Sequence, residues 1–189
     1  MNLNEKFMKS QSRWEEVNHL LKDGYTKEIY RNEESSIDFL KTHGINKNNI
    51  QVKEDFIFYL TPFHSEMDIA FKTCRSSASD LGFKLTRGDE MMETSDIFQN
   101  ILKNILESKF IIANITGRNS NVYYELGIAH ALNKYVILIC DVEFEPPFDL
   151  QSKRIAFYQQ PKDLERIIPE VIAKASFEIN GKKITSTRY

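Results

Sequence analysis

A parallel α/β fold is predicted for most of this chain by three observations. From Gln51 onward, short apolar runs alternate with stretches whose apolar residues recur at helical spacing. The runs Phe56–Leu60 and Phe110–Ile115 are almost continuously apolar, which is typical of strands buried on both faces. Strands that alternate with helices form parallel sheets through right-handed crossovers. We therefore expect a sheet with helices on both of its faces.

The first strand and helix occupy the region that begins at Phe56. The strand Phe56–Leu60 is broken by the sequence Thr61-Pro62-Phe63-His64. Residues 66–80 then place their apolar side chains on one face of an amphipathic helix, and Gly82 ends it.

The second strand is short, and a charged loop follows it. The strand covers Phe83–Thr86, and the polar loop runs from Arg87 to Thr94. Thr94 or Ser95 is suited to cap the next helix. Its apolar residues recur at helical spacing: Ile97, Phe98, Ile101, Leu102, Ile105 and Leu106.

The third strand begins the most informative segment of the chain. The strand Phe110–Ile115 leads into a polar loop, Thr116–Asn121. A helix then runs to about Asn133, and the strand Tyr135–Cys140 follows.

The last predicted elements complete a five-stranded sheet. A loop with Pro146-Pro147 precedes a short strand near Arg154–Phe157, and a helix covers about Pro161–Ala175. Five strands with this connectivity predict a flavodoxin-like order, 2-1-3-4-5. The domain is expected over residues 51–178, followed by a flexible tail over 179–189.

Residues 1–50 differ from the domain in being polar and charged. We expect a helical appendage there that packs on the domain or on a partner, because apolar residues recur at loosely helical spacing: Phe7, Trp14, Val17, Leu20 and Leu21. A second helix begins at Ser35 or Ser36 and ends at His43-Gly44.

Composition argues against several classes of function. The net charge of −2 gives no electrostatic case for binding nucleic acid or an anionic membrane. The longest apolar runs are strand-sized, and the first residues lack the apolar centre of a signal peptide. Cys74 and Cys140 are expected to be buried thiols, which fits a cytoplasmic location. The four histidines show no metal-ligand spacing.

Glu125 is the strongest candidate for a functional residue. Ligands bind at the carboxyl ends of parallel strands, and Glu125 lies about one turn into the helix that Asn121 is predicted to cap. One interpretation is a carboxylate that stabilises the helix dipole by about 0.3–1 kcal/mol. The other is an ionised carboxylate that attacks or stabilises an oxocarbenium-like sugar carbon. The preceding loop supplies groups suited to sugar hydroxyls or phosphate: Thr116, Gly117, Arg118, Asn119 and Asn121.

Two other loops carry candidate ligand contacts. Phe63, after the first strand, is suited to stack on a base or nicotinamide ring, or to cover the edge of the sheet. His64 is either an acid or base, or a solvated loop residue. After the second strand, Arg87 suits a phosphate and Asp89 a ribose hydroxyl, unless this loop is simply solvated.

These residues resemble a known group of proteins. The segment ITGRNSNVYYELGIAHALNKYVILI resembles the nucleoside 2-deoxyribosyltransferase-like superfamily, close to the TIR-like domains. The similarity covers about Asp55 to Ala175. Weaker matches are to the first strand with its M-P-F loop, the R-x-D segment and the last strand: Phe58–Phe63, Leu85–Asp89, Pro147–Leu150 and Arg154–Tyr158.

The resemblance implies an enzyme that acts on N-glycosidic bonds. In the transferases and deoxynucleotide N-hydrolases the residue matching Glu125 is a nucleophile, and in TIR-type enzymes a glutamate supports NAD cleavage. It implies a nucleotide substrate, no cofactor, no metal, a role in defence against phage, and sites often completed between protomers of an oligomer. Together, the residue chemistry and the resemblance predict these substrate-binding positions: Thr61, Phe63, Arg87, Asp89, Asn114, Thr116, Asn119 and Asn121.

Two positions differ from the family and favour NAD as the substrate. Asn114 stands where such proteins usually have aspartate, and Asn119 stands where the transferases have an acidic residue. Neither can protonate a leaving base, whereas the nicotinamide of NAD is already cationic and leaves without protonation. A deoxyribosyltransferase or deoxynucleotide hydrolase, and a non-catalytic nucleotide-binding or scaffold module, are the alternatives.

Overall fold

The structure is a computed structural model that describes residues 39–90 and 96–186. The chain divides into two compact units, Met1–Asn48 and Asn49–Tyr189. In the first unit, residues 39–42 are helical and Gly44 follows with a φ of 70°. The predicted helix end at His43-Gly44 is therefore confirmed, because glycine adopts positive φ without strain. The helices predicted over residues 1–38 lie outside the described residues.

Five strands form one sheet in the second unit, and every neighbouring pair is parallel. The order is β2-β1-β3-β4-β5, as the sequence predicts. The strands are β1 Lys53–Leu60, β2 Lys84–Arg87, β3 Ser108–Asn114, β4 Val136–Asp141 and β5 Ile155–Tyr158.

Five α-helices accompany the strands in the described part of this unit. They are α1 Asp68–Ser79, α2 Ile97–Glu107, α3 Ser120–Ala131, α4 Phe148–Gln151 and α5 Leu164–Ser186. Single 3₁₀ turns lie over Ser65–Met67, Gly88–Glu90 and Pro161–Asp163. Within these residues, no helix is long and apolar enough to cross a membrane.

Two apolar layers enclose the sheet. Alternate residues of a strand point to opposite faces, so β1 contributes Ile57 and Tyr59 to one layer and Phe56 and Phe58 to the other. The first layer includes α1 and α5, and the second includes α2 and α3. The central strand β3 is almost fully buried as a result.

The sheet has a crevice where β1 and β3 end side by side. Leu60 pairs with Ala113 near these ends. The helix after β1 packs on one face and the helix after β3 packs on the other, so the two connections diverge. Such a switch point is the usual ligand site of an open parallel sheet.

Four local features differ from the sequence prediction. The cap of α2 is Asp96, whose side chain accepts a hydrogen bond from the Gln99 amide, rather than Thr94 or Ser95. The cap of α3 is Asn119 rather than Asn121. The short helix α4 follows the Pro146-Pro147 loop and was not predicted, because four residues give no apolar period.

The fourth difference concerns the final helix. It continues to Ser186, so residues 179–186, predicted as part of a flexible tail, are helical. The polar composition of this segment does not prevent helix formation, because most of its residue types are compatible with a helix. Residues 187–189 lie outside the described residues.

Candidate active site

Glu125 lies on α3, beside the residues that this helix buries against the sheet. The residues that α3 buries against the sheet are Val122, Leu126 and Ala129. The Tyr123 hydroxyl donates a hydrogen bond to the Ile115 carbonyl at 3.3 Å. Residues two positions apart in an α-helix point in directions that differ by about 200°. Glu125 therefore lies roughly opposite Tyr123. Its neighbour Tyr124 contacts Phe98 of α2, with ring centroids 5.8 Å apart.

Burial raises the pKa of the Glu125 carboxyl to about 7. The side chain is half-buried, and none of the described residues donates a hydrogen bond to its oxygens. A carboxylate that is desolvated without a partner is disfavoured as an ion, which explains the direction of the shift. Groups with such perturbed pKa values concentrate at functional sites.

The helix dipole does not explain Glu125. The helix begins at Ser120, so Glu125 lies six residues after the cap, beyond the first turn in which the dipole acts. A dipole contact would also lower the pKa, whereas the pKa is raised. The interpretation of Glu125 as a carboxylate that stabilises the helix dipole therefore does not hold.

Asn119 and Asn121 lie together at the start of α3. The Asn119 Oδ1 accepts hydrogen bonds from the amides of Asn121 and Val122, at 3.0 and 3.2 Å. That oxygen satisfies two amides that a helix start otherwise leaves without partners. Any ligand contact of Asn119 is thus left to its amide nitrogen.

Asn114, predicted to contact substrate, is fully buried at the end of β3. Its Nδ2 lies 3.1 Å from the Tyr158 hydroxyl and 3.4 Å from the Tyr59 hydroxyl. Its Oδ1 accepts from the Thr116 amide at 3.1 Å. Both ends of the side chain therefore have protein partners.

Thr116 belongs to the same buried cluster. Its Oγ1 lies 3.2 Å from the Tyr158 hydroxyl and accepts from the Asp141 amide at 2.9 Å. The structure thus brings the predicted residues Asn114 and Thr116 together, but as internal hydrogen-bond partners.

The loop after β1 presents two different environments. Thr61 is 4% exposed, and its Oγ1 has no hydrogen-bond partner among the described residues. Phe63 is 54% exposed. A Cβ added at Gly88 would lie 3.4 Å from the Phe63 ring, and the Arg87 guanidinium lies 5.9 Å from the ring centroid, so this ring lies against the exit of β2. Phe63 is thus available for stacking.

Arg87 and Asp89 are paired with each other. The Arg87 Nε and one terminal nitrogen donate to the two Asp89 oxygens at 2.8 Å, and the other terminal nitrogen donates to Asp68 at 2.7 Å. The Phe71 ring lies 4.5 Å from the guanidinium. Hydrogen bonds to Asp89 and Asp68 raise the pKa of Arg87. A phosphate would have to compete with these two carboxylates.

Three members of these clusters were not predicted as site residues: Asp68, Tyr59 and Tyr158. Asp68 begins α1, where an acidic residue is ordinary, and the tyrosines lie within apolar strand sequences. The sequence signal available for Tyr158 is its place at the end of a strand, since strand ends meet at the ligand edge of the sheet.

The two clefts of the domain that can be described lie outside this region. Clefts of about 620 and 650 Å³ run along the outer strands β5 and β2, away from the β1–β3 crevice. Within the described ranges, no three side chains of the His, Cys, Asp or Glu type are grouped as they would be around a metal ion.

Comparison with known proteins shows a likeness of fold. No protein-family model matches the chain, and no curated protein matches it. The TIR domain of a Toll-related receptor from Hydra magnipapillata is similar in structure, with a TM-score of 0.52 and 19% identity. The match covers 65% of this chain and 97% of that domain.

Two further structures, both of enzymes, have a lower similarity to this chain. The 2-deoxyribosyltransferase from Bacillus psychrosaccharolyticus has a TM-score of 0.48 and 20% identity, over 58% of this chain and 90% of the transferase. The Clostridium botulinum CMP N-glycosidase has a TM-score of 0.49 and 15% identity, over 60% and 98% respectively. It is the TIR domain, at a TM-score of 0.52, that confirms the predicted resemblance as a likeness of fold.

Proposed function

We propose that this chain is an N-glycosidase that cleaves the bond between nicotinamide and ribose in NAD, with Glu125 as the nucleophile. The observation that carries the proposal is a desolvated carboxylate, without a described hydrogen-bond donor, on the helix after β3. This is the helix that follows the strand bordering the switch point of the sheet.

The charge of NAD suits such a carboxylate. Its nicotinamide ring is cationic, and positive charge moves onto the ribose carbon as the bond to the ring breaks. A poorly solvated carboxylate interacts more strongly with a cation than a solvated one does. A bound cation also lowers the pKa of a neighbouring carboxyl, so substrate binding would favour the ionised, nucleophilic form of Glu125.

The reaction balances without an acid for the leaving group. The C–N bond breaks with its electron pair passing to the nicotinamide nitrogen, which leaves as a neutral ring. A Glu125 oxygen forms a bond to the ribose carbon, and water then hydrolyses this ester to release ADP-ribose and a proton. Asn114 and Asn119 carry no acidic proton, and both use their side-chain oxygens to accept backbone amides.

The test is nicotinamide release from NAD by the full chain. Purified wild type is incubated with NAD, and nicotinamide and ADP-ribose are separated and quantified. Glu125→Gln should lose at least about 10³-fold in kcat, as expected when a nucleophile is removed. The matched control is Glu170→Gln, because Glu170 is an exposed carboxylate on α5 that pairs only with Arg166 among the described residues.

Two outcomes would overturn the proposal. Equal nicotinamide release by wild type and Glu125→Gln would remove Glu125 from the chemistry. Base release from deoxynucleosides or deoxynucleotides, with NAD left intact, would select a deoxyribosyltransferase or hydrolase instead. The same preparations are also assayed over a range of protein concentrations. If the active site is completed only in an oligomer, the specific activity of the enzyme should rise with its concentration.

A role in defence against phage is part of the proposal, on the strength of the motif resemblance. Cells that express the wild type should lose NAD after infection, while cells with Glu125→Gln should retain it. Unchanged NAD in infected wild-type cells would contradict this role without affecting the result in vitro.

A further inference from the structure

A chain of hydrogen bonds connects the last strand with the loop that leads into the Glu125 helix. The Tyr158 hydroxyl, at the end of β5, lies 3.1 Å from the Asn114 Nδ2 and 3.2 Å from the Thr116 Oγ1. All three residues are buried. Because buried polar groups need partners, removing the Tyr158 hydroxyl leaves both neighbours short of a hydrogen bond.

The loop itself has few internal anchors. Within residues 116–119, Thr116 is the buried residue, while Gly117 and Arg118 are exposed and have positive φ values of 81° and 52°. Positive φ is uncommon for arginine, so contacts elsewhere must hold this backbone in place. The Arg118 guanidinium donates to the Glu145 carbonyl at 2.9 and 3.1 Å, but this contact lies at the surface.

We infer that Tyr158 is a positioning residue for the proposed reaction: its hydroxyl fixes Asn114 and Thr116, and thereby the loop from which α3 presents Glu125. The effect on rate rests on the proposed function, whereas the effect on the loop does not. Tyr158 touches neither substrate nor the reacting atoms in this scheme. It acts through the geometry of the chain between β3 and α3.

Tyr59 provides a matched control within the same cluster. It is also a buried tyrosine, its hydroxyl lies 3.4 Å from the same Asn114 Nδ2, and its other polar neighbour is the Cys74 thiol at 3.9 Å. No hydrogen bond joins Tyr59 to Thr116 in the described part of the chain. Loss of either tyrosine hydroxyl therefore disturbs the Asn114 amide, but only loss at Tyr158 also removes a contact of the Thr116 side chain, which is then held by the Asp141 amide alone.

The experiment compares Tyr158→Phe, Thr116→Val, their double variant and Tyr59→Phe. With NAD as substrate, Tyr158→Phe should lower kcat about tenfold with little change in KM, because displacement of a nucleophile is felt in the transition state. The double variant should lose less than the sum of the two single variants, because both changes remove the shared contact between Tyr158 and Thr116. Tyr59→Phe should stay within about twofold of wild type. Amide hydrogen exchange of residues 117–119 should accelerate in Tyr158→Phe and not in Tyr59→Phe.

The outcomes separate this inference from the proposed function. Equal effects of Tyr158→Phe and Tyr59→Phe on kcat and on loop exchange would overturn the positioning role. Accelerated loop exchange in Tyr158→Phe alone would support it even if wild type released no nicotinamide. In that case the proposed function fails while the tie between Tyr158 and the loop stands.

Discussion

The Asn114 amide nitrogen lies 3.1 Å from the Tyr158 hydroxyl, although the two residues are 44 positions apart in the chain. Asn114 ends the central strand and Tyr158 ends the outermost strand on one side of the sheet. The contact spans β4 and stabilises the edge of the sheet at which ligands bind in parallel α/β folds.

Replacing Asn114 should destabilise the folded protein. Asn114→Ala removes the partner of two tyrosine hydroxyls and of the Thr116 amide, so we expect a loss of about 2–3 kcal/mol in the free energy of unfolding. Urea denaturation followed by circular dichroism measures this value. Asn121→Ala, at an exposed position, is the control and should change stability by less than about 0.5 kcal/mol. Similar losses in the two variants would contradict the buried network.

Activity on NAD should rise with pH. The nucleophile is the ionised form of Glu125, and burial places its pKa at about 7 in the free protein. We therefore expect kcat/KM, which reports the free enzyme, to increase through a midpoint near 7 and then to level. For kcat the midpoint should be lower, because bound cationic substrate favours the ionised carboxylate. A kcat/KM profile that is flat between pH 5.5 and about 8.5 would argue against this assignment.

The contribution of Glu125 to the free energy of unfolding should fall as the pH rises, whereas the activity should increase. Its folded-state pKa is raised above the ordinary glutamate value of 4.5, so the folded state favours the neutral carboxyl. Its contribution to stability is fully present below about pH 4.5 and is lost as the pH rises through about 7. Glu125→Gln should thus become more stable relative to wild type by on the order of 1–3 kcal/mol across this range.

Thermal or urea unfolding at several pH values measures the difference between wild type and Glu125→Gln. The control is again Glu170→Gln, an exposed position at which the difference from wild type should vary little with pH. A Glu125→Gln difference that is constant from pH 4 to about 8 would show that Glu125 is well solvated.

Two substitutions of Asn119, the cap of α3, should have different effects on stability. Asn119→Ala removes the acceptor of the Asn121 and Val122 amides and should cost about 1 kcal/mol. Asn119→Asp retains an acceptor and adds a charge that the helix N-terminus favours, so stability should be kept or increased by up to about 1 kcal/mol at neutral pH. Comparison of the two unfolding midpoints tests the cap. Equal destabilisation by both would mean that the amide nitrogen of Asn119, rather than its oxygen, is the important group.

Much of the fold follows from local patterns in the sequence. The strands around Phe56 and Phe110 are read from continuous apolar runs, and the helices from their apolar period. The caps are harder to predict, because Asp96, Ser95 and Thr94 are all suitable residue types. Which of them caps α2 depends on where the chain turns.

The candidate site was predicted less completely than the fold. Glu125 could be identified because the end of a buried strand fixes where the following loop and helix must lie. The Arg87–Asp89 pair could not, because a charged loop gives no sign of whether its charges bind each other or a ligand. Asn114 and Thr116 also gave no sign that their side chains point into the protein.

The sequence by itself therefore determined most element types, the order of the parallel sheet and the place of Glu125 on the helix after β3. These depend on apolar periods and on the restricted ways in which strands and helices connect. Only the tertiary structure decided that Tyr158 is the partner of Asn114 and that Glu125 is desolvated. Asn114 and Tyr158 are 44 positions apart in the chain and close in space, and a local pattern contains no record of such distances.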